Sequence, residues 1–380
     1  MKNGAFFVSW IPVAVSAAFF VVAFLLFSGC YTLKQGAAML GYLGKAVPLE
    51  SLSGQAEDER RFAERVADIR RFAMEELGLK ESKNYTRYVA IDRDYLAAVV
   101  SACAPDSFTR HEWRFPVVGT VPYKGLFDPN DARKEAAKLR ADGLDVWIRG
   151  VDAFSTLGWF RDPLYSYMKE YPVHALADLI IHELLHATVF IKGQVQFNEQ
   201  LAEFVGSTGA GLYMESRFGI DSPEYREIDA GAADRTAFRG VVSALIAELE
   251  VLYAGNLSRE EKLSEKARII KVTQERFASE YDDLFSGENY RNFAELPVNN
   301  AYLDLYRLYY EEDNFLQILY QENCEPTVAG LRRFVDAAKT LTTAGRWSGD
   351  LRKQLETRLR STPVPEQAKN ARENSFHLEL

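Results

Sequence analysis

One stretch of the sequence, IIHELLHATVFIKGQVQFNEQLAEFVG at residues 180–206, most constrains how this chain can fold. Most of it is apolar enough to lie in a protein core, yet besides Lys192 it contains two histidines and three glutamates: His182, Glu183, His186, Glu199 and Glu203. Burying such groups costs free energy unless something compensates their lost hydration. The fold must therefore pair them, either within a hydrogen-bonded core or around a metal ion.

The HELLH segment predicts half of a metal site. His182 and His186 are four residues apart, so on a helix they lie on one face, about one turn apart, where both imidazoles can bind a single Zn²⁺. Glu183 is offset by about 100° from His182, which keeps it off the metal but within reach of a water that the metal polarises. Acidified water beside a proton acceptor is what a hydrolase needs, so Glu183 is the predicted general base.

The chain can also supply a third ligand. We expect the first helix to end near Lys192 with Gly193 as its C-terminal cap, and a second helix to begin with Asn198 as its N-cap. Glu199, in the first turn of that helix, can then reach the metal. Glu203 lies one turn further on the same face and can hydrogen-bond a ligand histidine from outside the coordination sphere.

The competing interpretation is that these histidines are hydrogen-bonded core residues, because HExxH is short enough to occur by chance in helical proteins. Two observations favour the metal. The surrounding helix is apolar on every side, which makes solvated charges a poor explanation. A glutamate also follows an asparagine at a distance the chain can fold back across.

The N-terminus predicts attachment to a membrane. Residues 1–29 carry one early charge, Lys2, followed by an apolar run, which is typical of a signal peptide or membrane anchor. The run ends in FSGC, similar to a bacterial lipobox, so Cys30 is the predicted lipidation site; a retained transmembrane helix is the alternative. Either places the rest of the chain outside the cytoplasm, in the periplasm or at the cell surface. The net charge of −9 argues against nucleic acid as a partner.

The remaining chain divides by pattern into four regions, and the fold class we predict is α+β and predominantly helical. Residues 30–54 are predicted to be a tether, 55–161 an α/β part with a small sheet, 162–345 a helical part carrying both motifs, and 346–380 a C-terminal helix and mobile tail. Cys103 and Cys324 could form one disulfide, but unpaired apolar residues are the favoured interpretation.

HELLH followed by NEQLAE resembles the gluzincin metallopeptidases, the clan of thermolysin and the membrane alanyl aminopeptidases. Twelve residues separate His186 from Glu199, fewer than in those two groups. Together with FPVVGTVPYKG, DVWIRGVDAFSTLGWF and NNAYLDLYRLYY, this spacing closely resembles a bacterial family described as aminopeptidases, over most of residues 30–340. The resemblance implies a zincin-like fold with zinc at His182, His186 and Glu199 and with Glu183 as general base.

The resemblance also implies a substrate strand and an oxyanion residue. AFSTLGWF stands where gluzincins have an edge strand that pairs with the substrate backbone, so its residues Ser155, Thr156, Leu157 and Gly158 are predicted to bind peptide; an ordinary core strand is the alternative. Gluzincins stabilise the oxyanion with a Tyr or His from a later helix. Tyr306 is the candidate we adopt, and Tyr309 and Tyr123 are the others.

The function expected from the sequence is therefore a membrane-tethered zinc metallopeptidase, an aminopeptidase acting on peptide substrates. One alternative is a non-catalytic lipoprotein that binds peptides or the cell envelope, although such a protein has no need of Glu183. Another is a zinc amidohydrolase acting on a non-peptide amide. The chain lacks the GxMEN-type motif with which alanyl aminopeptidases bind the free amine, so the choice between exopeptidase and endopeptidase stays open.

Overall fold

The computed structural model describes residues 29–54, 56–115, 119–151, 162–310, 315–342 and 350–361. Helices dominate these residues and small sheets make up the rest, so the predicted α+β class is confirmed. The α-helices of this part, numbered along the chain, are α1 Gly29–Lys45, α2 Glu57–Arg71, α3 Pro129–Ala141, α4 Val173–Thr188, α5 Val195–Phe218, α6 Pro223–Ala254, α7 Arg259–Leu284, α8 Asn300–Tyr310, α9 Phe315–Asn323, α10 Val328–Leu341 and α11 Leu351–Ser361.

The strands are short and form three small sheets. The described strands are β1 Val47–Pro48, β2 Arg87–Val89, β3 Ala97–Cys103, β4 Trp113–Phe115, β5 Gly119–Val121, β6 Lys124–Leu126, β7 Asp145–Val151 and β8 Leu164–Tyr165. Strand β2 pairs antiparallel with β1 and parallel with β8, β3 lies antiparallel between β6 and β7, and β4 and β5 form a hairpin. Four short helical turns complete the list: the 3-10 helices Leu49–Gly54, Ser166–Glu170 and Arg291–Glu295 and the π-helical turn Phe72–Glu76.

Strand β3 is covered on both faces. All seven of its residues are buried, and the face carrying Ala98, Val100 and Ala102 packs against α3 in one apolar cluster. Helix α8 packs against both β3 and β7, and because successive side chains of a strand point to opposite faces, it covers the other side. The sheet therefore joins the first part of the chain to the later helices.

The main core surrounds α4 and α5. Both helices contribute fully buried apolar residues, including Ile180 and Leu184 from α4 and Leu201 from α5. Helix α2 packs on α4 and, with the π-helical turn that follows it, buries one apolar face, formed by Phe62, Val66, Ile69, Phe72 and Leu77. Each such side chain contributes about 1.5–3 kcal/mol to the stability of the fold when it is buried. Packing of this kind holds α4 and α5 in place from several sides.

The region predicted to be a tether is in fact largely folded. Residues 29–45 form α1, whose Tyr31 ring stacks on Phe115 at 5.1 Å and whose Gln35 accepts a hydrogen bond from the Phe127 backbone. Ala46, Leu49 and Leu52 are then buried in the main core. The glycines of this region suggested a flexible segment, but Gly36, Gly41 and Gly44 of α1 would meet no neighbour within 4 Å if they carried a Cβ, so they are compatible with a helix on the surface.

Other sequence predictions have mixed outcomes. Strands β2, β3 and β7 and helix α3 lie within residues 55–161, the part predicted to be α/β, and α11 lies within the C-terminal region predicted to be helical. The segment NNAYLDLYRLYYEEDNFLQILYQ contains α8 and α9, and residues 311–314 between them lie outside the described residues. Cys103 and Cys324 are free and buried, as favoured. The signal or anchor segment, the strand AFSTLGWF and the C-terminal tail lie outside the described residues; within them, no helix combines the length and apolarity needed to cross a membrane.

Candidate metal centre

The three predicted ligands converge in the gap between α4 and α5. His182 and His186 project from the last two turns of α4, and Glu199 comes from the second turn of α5. The two imidazole Nε2 atoms are 3.2 Å apart, and the Glu199 carboxylate oxygens lie 3.7 Å from His182 Nε2 and 3.5 Å from His186 Nε2. Among the described residues, these three form the cluster of His, Cys, Asp and Glu side chains able to hold a metal ion.

These separations fit a tetrahedral zinc ion. Two ligand atoms bound at about 2.1 Å in tetrahedral geometry stand about 3.4 Å apart, and the three observed separations lie on either side of that value. Two imidazole nitrogens and one carboxylate oxygen are also a donor set that leaves a fourth position for water or substrate. Exposure supports this: the His186 side chain is 3% exposed, but that of Glu199 is 55% exposed, so the cluster opens to solvent on one side.

Contacts within and around the cluster shift the pKa values of Glu199 and His182. Contacts with the His182 and His186 imidazoles lower the pKa of Glu199 to about 2, so this carboxylate is ionised and ready to bind a cation at neutral pH. Burial alone would lower the pKa of His182, but its contact with Glu199 and the charges of Glu183 and Asp178 raise it above its ordinary value. These negative charges favour a proton on His182, and a bound metal ion would take the place of that proton.

Glu183 is buried beside the ligands with unused hydrogen-bonding capacity. It is 8% exposed, and its Oε2 atom has no hydrogen-bond partner in the described part of the chain. A buried carboxylate oxygen without a partner is costly and is typical of a functional group rather than of packing. The predicted general base therefore stands next to the metal cluster with an oxygen free to accept a proton.

Tyr85 is a neighbour of Glu183 that the sequence analysis missed. It is almost fully buried. This burial is the main cause, and the negative charge of Glu183 the second, of a hydroxyl pKa raised well above the ordinary value. Its backbone has φ 59°, a left-handed conformation that costs a residue with a side chain free energy, and its N–H donates to the Asp162 carbonyl at 2.7 Å. Nothing in the local sequence pattern signals this conformation.

Asp178 is the second residue that the sequence analysis missed. It stands one turn before His182 on α4 and is partly buried. Burial raises the pKa of Asp178 to about 6, and among the charges acting on it, His182 and Arg235 lower the value while Glu203 raises it. Glu203 itself is exposed, one turn beyond Glu199 on α5. The signal that could have identified Asp178 is its position four residues before His182, because that spacing places both side chains on one helix face.

The connection between the two helices differs from the one expected. Helix α4 ends at Thr188 rather than near Lys192, because Val189 and Ile191 extend into the core, each 1% exposed. Gly193, with φ 81°, makes the following turn rather than the helix cap. Helix α5 already begins at Val195, so Asn198 is not an N-cap: its N–H donates to the Gln194 carbonyl inside the helix.

Asn198 instead closes the connection from within α5. Its side-chain oxygen accepts from the Ile191 N–H at 3.0 Å, and its side-chain amide donates to the Ile191 carbonyl at 2.9 Å. The residue is 2% exposed, so both bonds are shielded from water. This explains in physical terms why Asn precedes the ligand: Asn198 ties the extended connection to the helix turn that presents Glu199.

Replacing Asn198 with Ala should destabilise the metal-free protein by about 2–4 kcal/mol, because it leaves a buried N–H and a buried C=O without partners. Urea unfolding of the metal-free soluble domain measures this. The matched control is Gln196→Ala, an exposed position two residues earlier in the same helix, which should change stability by less than about 0.5 kcal/mol. Equal stabilities of the two variants would contradict the bridging role of Asn198.

The other predicted site residues are not joined to the cluster by the described contacts. Tyr306 lies in α8, where its hydroxyl shares a hydrogen bond with the Tyr302 hydroxyl at 3.2 Å and its ring packs on Phe238. Tyr123 is 42% exposed, between β5 and β6. The Tyr309 side chain and the whole segment Ser155 to Gly158 lie outside what the structure describes, so their roles stay predictions.

The fold and the site define a class: a predominantly helical α+β protein in which a helix pair presents two histidines and a glutamate, arranged as metal ligands, beside a buried glutamate. A family model described as "Putative aminopeptidase" matches residues 30–350, which is most of the chain. The protein belongs to this family. No curated protein and no solved structure matches the chain.

Proposed function

We propose that the protein is a zinc-dependent metallopeptidase, an aminopeptidase, with its zinc ion held by His182, His186 and Glu199. The observation that carries this proposal is the spacing of the donor atoms: the two imidazole Nε2 atoms are 3.2 Å apart, Glu199 Oε2 lies 3.7 Å from His182 Nε2, and Glu199 Oε1 lies 3.5 Å from His186 Nε2, each close to the edge of a zinc tetrahedron. The buried, unpaired oxygen of Glu183 supports hydrolysis over simple metal storage, since a storage site needs no adjacent base. Membership of the aminopeptidase family supports a peptide substrate.

The roles of the chain's own residues follow from their positions. A bound zinc ion would supply Lewis acidity, lowering the pKa of a water molecule and polarising the peptide carbonyl. Glu183 accepts the proton of the attacking water and then delivers it to the leaving amine. Glu199 is the most exposed of the three ligands, so the open side of the cluster next to it admits the substrate. Ser155 to Gly158 and Tyr306 remain our candidates for binding the peptide backbone and the oxyanion.

Paired peptides test the proposed activity. The zinc-loaded soluble domain should release N-terminal residues from a mixed peptide library, with products identified by mass spectrometry. N-acetylation of the same peptides should block this release, because an aminopeptidase binds the free amine. Internal cleavage of both sets would instead assign an endopeptidase. Binding of peptides without any hydrolysis would contradict the proposed function and favour a non-catalytic binding lipoprotein.

We also propose that the protein acts outside the cytoplasm, held at a membrane through Cys30. The apolar run of residues 1–29 and the FSGC segment support this attachment. Cys30→Ala should leave the protein at its precursor mass and abolish acyl labelling, as judged by mass spectrometry after growth with a labelled fatty acid. Thr32→Ser, a conservative change two residues after Cys30 and outside the FSGC segment, is a control for processing in general. A parent protein with no acyl label and the mass of the full precursor would instead support a retained helix.

A further inference from the structure

Gly206 marks the place where α5 comes closest to the ligand helix. A methyl group at this position would lie 2.4 Å from Asp178 Oδ1 and 3.1 Å from both the Asp178 carbonyl oxygen and His182 Cβ. Contacts under 3.0 Å are essentially never made by real Cβ atoms, so with any other residue at this position the Asp178 carboxylate would have to move. The space left by the absent side chain is occupied by the Asp178 carboxylate, directly beside the base of the His182 side chain.

The charges around Asp178 come from three helices. His182 stands one turn later on the same face of α4, Glu203 approaches from α5, and Arg235 from α6. A carboxylate held between packed helices costs free energy, and a cationic or N–H partner must offset that cost. The partner on the same face is the His182 imidazole, whose Nε2 is already directed at His186 and Glu199. Its second ring nitrogen, Nδ1, is therefore the atom left for a carboxylate.

In this structure Asp178 acts on His182 through its charge, and no hydrogen bond joins the two side chains. We propose that Asp178 is the positioning residue of the metal centre and that, once an ion engages Nε2, it accepts a hydrogen bond from Nδ1–H of His182 and so holds Nε2 toward the metal. Ligand histidines usually donate their other ring N–H to a carboxylate or a carbonyl, which fixes the tautomer and increases the basicity of the ligand. The sequence pattern predicts this role for Glu203, but Glu203 is exposed whereas Asp178 is partly buried against Gly206. The inference rests on the proposed zinc site.

Two carboxylate variants test the inference. Wild-type protein, Asp178→Asn and Glu203→Gln are loaded with Zn²⁺ to measure affinity, and separately with Co²⁺ to record the d–d absorption spectrum at full occupancy. Asp178→Asn should bind zinc about 10–100-fold more weakly and alter the cobalt spectrum, because the orientation of a ligand changes. Glu203→Gln should lose less than about fivefold, since exposed charges contribute little. A merely structural role would leave the cobalt spectrum unchanged.

Two glycines of α5 provide a test that does not alter the carboxylate. Gly206→Ala should displace Asp178 and weaken zinc binding, because its methyl group would require the space of Oδ1. Gly211→Ala adds the same methyl group to the same helix, but nothing lies within 4 Å of it. This control should keep the zinc affinity of the wild type and melt at the same or a higher temperature, since alanine favours a helix more than glycine does.

The outcomes are distinguishable. A wild-type protein that binds no zinc would contradict the proposed function and the inference together. Zinc binding by the wild type with unchanged affinity and cobalt spectrum in Asp178→Asn would overturn the inference alone, and strong weakening in Glu203→Gln would then assign the role to Glu203. If Asp178→Asn does not fold, the glycine pair decides, and equal zinc affinities of Gly206→Ala and Gly211→Ala would overturn the inference.

Discussion

Glu183→Gln is expected to bind zinc as the wild type does while losing peptide hydrolysis by about 10²–10⁴-fold in kcat, the range that a general base contributes. The substitution keeps the size of the side chain and removes its ability to accept a proton. Glu183 is not one of the three predicted ligands, so its substitution should leave zinc binding intact. Zinc content and the rate of peptide hydrolysis are measured on the same preparation.

Glu215→Gln is the matched control for this loss. It makes the same chemical change at an exposed position in α5, away from the ligands, and should retain full activity. Loss of zinc in Glu183→Gln would mean that Glu183 is a ligand rather than a base. Full activity in Glu183→Gln would contradict the mechanism itself, because no other buried carboxylate of the described residues offers an unpaired oxygen beside the cluster.

The second large effect is expected at Glu199. Glu199→Gln should weaken zinc binding by more than about 100-fold, beyond the range for residues that only support a ligand. The reason is that the amide is a neutral and poor ligand, while Glu199 is held fully ionised by its two histidine neighbours. Competition with a chromophoric chelator gives the zinc affinity.

Glu203→Gln is again the comparison, because it changes the same residue type one turn further along α5. It should keep the site filled under conditions in which Glu199→Gln is empty. If the reverse is found, the assignment of the third ligand is wrong and the two glutamates exchange roles.

The clustering of His182, His186 and Glu199 could be predicted from the sequence because it depends on helix periodicity and chain reach alone. The spacing of His182 and His186 determines their common face, and the twelve residues before Glu199 are enough to return the chain to it. The strands richest in Val and Ala, such as β3, were recognisable for a similar reason: their composition is characteristic of a buried strand.

The details that failed depend on tertiary contacts. The end of α4 was placed four residues late because the burial of Val189 and Ile191, which draws the chain out of the helix, is decided by the core and not by local propensity. Asn198 has a residue type that suits both an N-cap and a buried bridge, and only the position of Ile191 distinguishes them. Asp178 was missed because its significance depends on a glycine 28 positions later in the chain, Gly206.

The most direct test of the zinc site is elemental analysis of the purified soluble domain beginning after residue 30. The wild type should contain one zinc ion per chain, and the double variant His182→Ala, His186→Ala should contain none, since Glu199 alone cannot hold the ion. His174→Ala, which removes another histidine of the same helix, should keep the full content. A double variant that still carries one zinc per chain would show that the metal binds elsewhere and would contradict this account.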